Sequence, residues 1–235
     1  MGYGVGTQST FAFLLVQQMG GTEVLMGMML LFSILTEAPA FQFQAALLAR
    51  VPVALVMNAS TLLMAVRMGL YALLPLAPTP WAVLPIELLH GVTFATSWGA
   101  GIVNCKRIAP PSLNTSMQSM FSAVFVGVGP GLGGIFGGML MQSYGVRATF
   151  AATSAVIAGG WAAALATDAL ITACERRAEA AEAAAEAAGL TVPAKRGRSF
   201  ITPRSALSMI FAFPTPPFLA RTSRRGVSRA ATPAA

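Results

Sequence analysis

Charged residues are scarce in this chain of 235 residues. They make up 10% of the sequence and hydrophobic residues make up 55%, whereas a soluble domain carries about 25% charged residues. A soluble protein of this size needs more charged surface than these residues provide. The composition therefore excludes an ordinary soluble domain and predicts a membrane protein.

Cysteine and histidine are rarer still. The two cysteines, Cys105 and Cys174, form no CxxC pattern, and His90 is the only histidine. These numbers exclude a disulfide scaffold and a zinc site. The sequence also contains no HExxH or GxSxG pattern and no pair of aspartates in an apolar segment. We therefore predict that the protein is not an enzyme and has no metal or other cofactor.

Basic charge is concentrated at the C-terminal end. Residues 1–172 carry five basic and four acidic residues, and residues 173–235 carry ten and four, so the net charges are +1 and +6. The basic character belongs to this tail and does not indicate a nucleic-acid-binding protein. For 173–235 we predict a cytoplasmic tail, with a short Ala/Glu helix ending at Gly189 and then a basic disordered segment attracted to anionic lipid.

Long apolar segments divide residues 1–172. A helix needs about 20 apolar residues to cross a bilayer, and five segments reach that length while a sixth is too short to span alone. The five are 22–44, 53–76, 81–104, 115–142 and 146–171, and the short one is 7–18, a partial first helix. Glycine or proline stands at the joints, and no segment alternates apolar with polar residues. The sequence predicts an all-α polytopic transmembrane helix bundle in the lipid bilayer.

Basic residues near the segment ends predict the orientation. Arg50 and residues 106–107 and 176–177 fall on one side, whereas the opposite side carries Arg147. Because basic loops remain in the cytoplasm, we predict that the side holding the tail is cytoplasmic.

Ionisable residues inside a predicted span are candidates for function, because their charge is costly in a bilayer. Arg67 and Glu87 flank the short 76–80 turn, which makes their helices antiparallel neighbours. An ion pair between them fits this arrangement, either as part of a transport mechanism or as a structural clamp.

The third long segment places four polar and aromatic side chains on one helical face: Glu87, His90, Phe94 and Trp98. A carboxylate beside an imidazole is able to handle protons, and the aromatic rings would line a path for a solute. The alternative is a histidine bonded to a neighbouring helix, with the aromatic rings in the core.

Glu37 is followed closely by Pro39. Proline leaves one backbone carbonyl unpaired and bends its helix, which suits a mobile element, a binding site or a purely structural kink.

The fourth long segment is rich in glycine. It is not a phosphate loop, because no strand precedes it and no Lys-Ser/Thr pair follows. Gly129, Gly133 and Gly137 permit close helix packing, and Pro130 predicts a kink.

The stretch 84–95, LPIELLHGVTFA, together with Trp98, resembles the signature of one branch of the major facilitator superfamily. That branch holds the MFS-associated-domain proteins, which are related to lactose permease and the nucleoside–proton symporters. Further matches follow in the same order: Glu37-Ala38-Pro39 with Phe41, Arg67 with Tyr71-Ala72-Leu73, Ile108-Ala109-Pro110-Pro111, and Gln118 before the glycine-rich helix.

Members of this superfamily have twelve helices in two pseudo-symmetric halves, with solute bound between the halves and both termini in the cytoplasm. The resemblance covers residues 7–172 and implies the C-terminal six-helix half of a secondary transporter, expected to couple a small polar solute to protons. Within that half, the residues singled out above are the candidate proton-coupling and substrate residues: Glu87, His90, Arg67, Glu37, Phe94 and Trp98.

The resemblance accounts for one half of such a transporter. We therefore expect the chain either to be a fragment or to pair with a missing N-terminal half or a second chain. The alternative function is a non-transporting membrane receptor or scaffold protein of the same fold.

Overall fold

The computed structural model describes residues 1–187, and that part of the chain consists of helices and their connections. The helices are α1 (Gly2–Gln18), α2 (Glu23–Arg50), α3 (Val53–Leu73), α4 (Val83–Ile108), α5 (Asn114–Ser122) and α6 (Gly129–Ala187). A π-helical turn, Ala123–Val128, joins α5 to α6. The predicted all-α helix bundle is confirmed.

Local sequence explains the helix ends. Gly20 adopts a φ of 79° just after α1, a conformation that glycine takes at little cost. Thr22 then caps α2, because its side chain accepts a hydrogen bond from the backbone N–H of Leu25 at 3.4 Å. Pro52 precedes α3, and prolines occupy the 3-10 turns Leu74–Leu76 and Pro80–Ala82 between α3 and α4.

Gly145 divides α6 into two limbs, 129–144 and 146–187, because its φ of 80° and ψ of 170° are not helical. Contacts with α1 give the directions of the two limbs. Gly2 lies against Gly129 and Phe11 against Gly137, so the first limb runs parallel to α1. Thr7 contacts Thr153 and Gly4 lies against Ile157, so the second limb runs antiparallel to α1. The two limbs therefore run antiparallel.

Side-chain pairs give the directions of the other helices in the same way. α2 runs parallel to α4, because Ser33 contacts Glu87 and Phe41 contacts Phe94. α3 runs antiparallel to α4, because Arg67 pairs with Glu87 and Val53 lies in one cluster with Ala100. α1 runs parallel to α3, because Gly4 lies against Met64 and Gln8 contacts Arg67. Successive segments of residues 1–187 thus alternate in direction, counting α5 with the first limb of α6.

The main core lies between α1, α3 and the second limb of α6, with contributions from α2 and α4. Its largest fully buried apolar side chains are Leu15, Val16, Leu25, Met64, Met68, Tyr71, Val83 and Phe150. Large apolar residues elsewhere on α2 and α6 are exposed, as expected for surfaces that face lipid.

Three helical stretches in the described residues are long and apolar enough to cross a membrane: Glu23–Arg50, Val53–Leu76 and Pro111–Ala181. The third contains both limbs of α6. α4, predicted as a span over 81–104, is not among them because its polar side chains lower its mean hydropathy. Those side chains lie largely within the bundle, since Glu87, Thr93 and Ser97 are buried.

Two helix boundaries differ from the predicted ones. α1 begins at Gly2 rather than at residue 7, because Gly2, Gly4 and Gly6 pack closely on other helices instead of breaking α1. No break separates the predicted span 146–171 from the tail, because alanine and glutamate favour helix up to Ala187. The predicted basic disordered segment and Gly189 lie outside the described residues.

Candidate functional site

A buried ion pair joins α3 to α4. The Nη2 of Arg67 lies 2.8 Å from Oε2 of Glu87, and the two side chains are 0% and 2% exposed. The short connection between the two helices places these residues at one level. Two charges out of contact with water are stable only when the remaining donors and acceptors also find partners.

All five N–H groups of Arg67 have such partners. Its Nε donates to the carbonyl of Ile86 at 3.2 Å. Its Nη1 faces Oε1 of Gln8 and Nδ1 of His90, each at 2.8 Å. Its Nη2 donates to Glu87 and, at 3.3 Å, to the hydroxyl of Tyr71. The guanidinium is therefore saturated with acceptors.

Hydrogen-bond donors likewise surround the Glu87 carboxylate. Ser33 donates to Oε2 at 2.7 Å, and Nε2 of Gln8 lies 3.5 Å from the same oxygen. The Tyr71 hydroxyl makes a short hydrogen bond to Oε1, while its ring stacks on Phe150 with centroids 4.9 Å apart. Side chains from α1, α2, α3 and α4 thus form one network, which suits an ionised carboxylate.

His90 connects this buried network to a more open carboxylate. Because an arginine can only donate, Nδ1 of His90 must accept from Arg67, and a neutral ring then carries its proton on Nε2. That Nε2 lies 4.0 Å from Oε2 of Glu37, and the two side chains are 17% and 27% exposed. The buried network therefore has one side that opens toward Glu37.

Aromatic rings extend from His90 along α4. His90 stacks on Phe94 with centroids 5.6 Å apart, and Phe94 stacks on Trp98 at 6.3 Å. Rings from α2, α5 and the π-helical turn complete what we call the aromatic cluster: Phe41, Phe94, Trp98, Phe121 and Phe125. The predicted face of α4 thus meets three other segments of the chain.

The predicted glycine positions lie where helices approach closely. A Cβ on Gly129 or Gly133 would meet the backbone of α1, and one on Gly137 would meet the Phe11 ring. Pro130 follows the π-helical turn Ala123–Val128. Because proline has no N–H, a carbonyl of that turn lacks its helical donor, and a π-helical turn is one way a helix absorbs this loss. α2 continues as a helix through Pro39.

The family model named MFS_1 like family matches residues 1–152. The chain belongs to this family, and so to the major facilitator superfamily. Together with the apolar helices, this membership establishes an integral membrane protein.

Three curated relatives of this chain share the name major facilitator superfamily domain-containing protein 6-like. The zebrafish (Danio rerio) protein is 32% identical over 37% of this chain and 16% of its own length. The mouse (Mus musculus) protein is 25% identical over 67% of the chain and 26% of its own length. The human (Homo sapiens) protein is 25% identical over 63% and 25%. The chain thus spans about a quarter or less of these relatives, and no solved structure matches it significantly.

The structure groups the predicted site residues of this superfamily member in two adjoining places. Arg67 and Glu87 form the buried pair, whereas Glu37, His90 and the aromatic residues lie toward the open side. Glu87 and His90, predicted as a proton-handling pair, make no direct hydrogen bond among the described residues, because Arg67 lies between them.

Three network residues were not predicted as site residues: Gln8, Ser33 and Tyr71. Tyr71 lies one helical turn after Arg67 and Ser33 lies one turn before Glu37, and this spacing would have indicated them. Gln8 has only glycine and apolar residues one turn away on either side, so its signal is a lone polar group in an apolar helix. No cluster of three metal-ligating side chains occurs within residues 1–187.

Proposed function

We propose that this chain is part of a secondary active transporter that moves a small polar solute coupled to protons. The observation that supports this most strongly is the buried Arg67–Glu87 network, which joins four helices and reaches a partly exposed carboxylate through His90. Such an arrangement links the charge state of a few side chains to the relative positions of the helices.

The proposed coupling uses the saturation of the network. A proton on Glu87 would remove the counter-ion of Arg67 and leave the guanidinium charge buried, so α3 and α4 would have to rearrange. A proton on Nδ1 of His90 would place a donor against Arg67 and have the same effect. Glu37, on the open side, is the first carboxylate that an entering proton would meet.

The proposed transporter also contains a second half. We propose that residues 1–172 act as the C-terminal six-helix half, with the tail in the cytoplasm. The alternating directions of the segments and the short share of the curated relatives that the chain covers support this proposal. Solute would then bind between the half described here and its partner half.

The test is proton-coupled flux by the full-length gene product in vesicles loaded with a pH-sensitive dye. Radiolabelled uridine and lactose serve as first probes. We expect Glu87→Gln and His90→Ala to lose most of the solute-driven proton uptake, while Glu23→Gln, a carboxylate in the first turn of α2, keeps it. Unchanged proton uptake in both site variants would refute the proposed proton role.

The second candidate is a receptor or scaffold protein in which the network is a structural clamp. The saturation of every Arg67 donor favours it, since a clamp needs no unsatisfied group. In that case the full-length wild type would move neither solute nor protons, whereas the Glu87 variant would lose stability under either candidate function.

A further inference from the structure

The open side of the network combines a carboxylate with aromatic faces. Glu37 and Phe41 lie one helical turn apart on α2, and His90 and Phe94 lie one turn apart on α4, which runs parallel to it. The Glu37–His90 and Phe41–Phe94 pairs therefore form two layers about 6 Å apart along the helices. A small group against the exposed side of these layers would contact the Glu37 carboxylate and the Phe41 ring together.

Glu37 lacks a cationic partner in the described part of the chain. Its neighbour His90 accepts from Arg67, so the ring presents a neutral N–H toward Glu37 at 4.0 Å. That distance is too long for a hydrogen bond. A partly exposed carboxylate in this setting would gain more from a cation than from any neutral group.

The same geometry disfavours an anionic solute. The nearest guanidinium, Arg67, is buried, and all five of its donors already have acceptors. An anion would have to displace one of them and approach the uncompensated charge of Glu37. The charges on this face therefore select for positive solutes.

Aromatic faces add a second attraction for such a solute. A cation within about 6 Å of a ring centroid is held by the negative face of the ring, and tryptophan holds it best. Phe41 is 39% exposed, so its ring is open to a solute on this side, whereas the two faces of Phe94 are covered by the stacked rings of His90 and Trp98. Glu23, by comparison, lies at the other end of α2, away from these rings.

We infer that Glu37 and Phe41 bind the ammonium group of an organic cation, such as an amine or a quaternary ammonium compound. This deepens the proposed transport function by naming a substrate class, and it rests on that function for its meaning. Glu37 provides the counter-charge, Phe41 provides the exposed ring, and Phe94 packs against Phe41.

The test is isothermal titration calorimetry on the purified full-length gene product in nanodiscs. The probes are tetramethylammonium, choline and benzyltrimethylammonium. The neutral control is 3,3-dimethyl-1-butanol, which has the shape of choline without its charge. We expect choline to bind at least about tenfold more tightly than this alcohol.

Variants locate the site. Glu37→Gln should weaken choline binding by about tenfold or more, and Phe41→Leu by several-fold. The matched controls are Glu23→Gln and Phe43→Leu, which change an acid and a 68% exposed ring on the same helix as Glu37. Both controls should bind choline as the wild type does, and size-exclusion profiles identify any variant that misfolds.

The wild-type comparison decides the inference even if a variant fails to fold. Equal affinity for choline and the neutral alcohol, or no saturable binding of any of the three ammonium probes, would overturn it. Normal choline binding by folded Glu37→Gln would also overturn it. Because calorimetry needs no turnover, choline binding without choline-driven proton flux would reject the proposed transport mechanism and retain the site.

Discussion

Replacing Glu87 by glutamine should destabilise the helix bundle through the loss of one charge. The two side chains have nearly the same shape, so Ser33 and Tyr71 keep a neighbour of the same size. Arg67, however, remains fully buried without a counter-ion. The change therefore measures the cost of an unpaired buried guanidinium.

The geometry sets the size of the effect. Two unit charges 2.8 Å apart attract by about 6 kcal/mol at an effective dielectric constant near 20. Removal of one partner of a buried pair costs about 3–5 kcal/mol in practice. We expect a loss of about 3–5 kcal/mol in the free energy of unfolding. This loss is smaller than the Coulomb energy, because the glutamine carbonyl still accepts a hydrogen bond from Arg67.

The assay is reversible unfolding of the purified chain in mixed detergent micelles, followed by circular dichroism. Arg67→Met and the double variant Arg67→Met/Glu87→Gln complete a double-mutant cycle. The double variant should be more stable than either single variant, because it leaves no charge unpaired. Glu23→Gln is the matched control and should change stability by less than about 0.5 kcal/mol. A coupling energy below about 0.5 kcal/mol would refute the assignment of a buried ion pair.

Three further predictions concern single positions. Tyr71→Phe should lower stability by about 1.5–3 kcal/mol in the same assay, because a hydrogen bond to the charged Glu87 is lost. Tyr144, which is 74% exposed, provides the control Tyr144→Phe. Equal losses of stability in the two variants would contradict the network. Gly91→Ala should cost about 1–3 kcal/mol because its Cβ would meet the α2 backbone, whereas Gly27→Ala, with open space around it, should be neutral or stabilising. Asn114, in an Asn-X-Ser motif on the side predicted to be cytoplasmic, should show no mobility shift with a glycosidase after expression in a glycosylating host. A shift would reverse the orientation.

The fold class could be predicted from the sequence because a helix that crosses a bilayer needs about 20 apolar residues, and such segments can be read directly from the sequence. The proximity of Arg67 and Glu87 was predictable for a similar reason, since a short turn leaves two helices little freedom in register. α4 was predicted as a span over 81–104, but it is less apolar than the three stretches named above, because it carries polar residues that neighbouring helices bury.

The partners of the ion pair could not be predicted from local sequence. Gln8 reaches Arg67 from 59 positions away, and Ser33 reaches Glu87 from 54. The position of Arg67 between Glu87 and His90 also depends on packing, because helical spacing shows which residues share a face and not what lies between them. The extent of α1 was underestimated because only its apolar stretch was counted, whereas glycines before that stretch pack closely on other helices.

The saturation of Arg67 also constrains how the bundle can move. A shift of α3 along α4 by one helical turn is about 5.4 Å, which would carry Arg67 beyond hydrogen-bonding distance of Glu87 and His90, each now 2.8 Å away. The bonds would break together, because they all belong to one rigid planar group. Motion at this level is therefore a switch between discrete positions and not a gradual drift, and a single side chain sets its threshold.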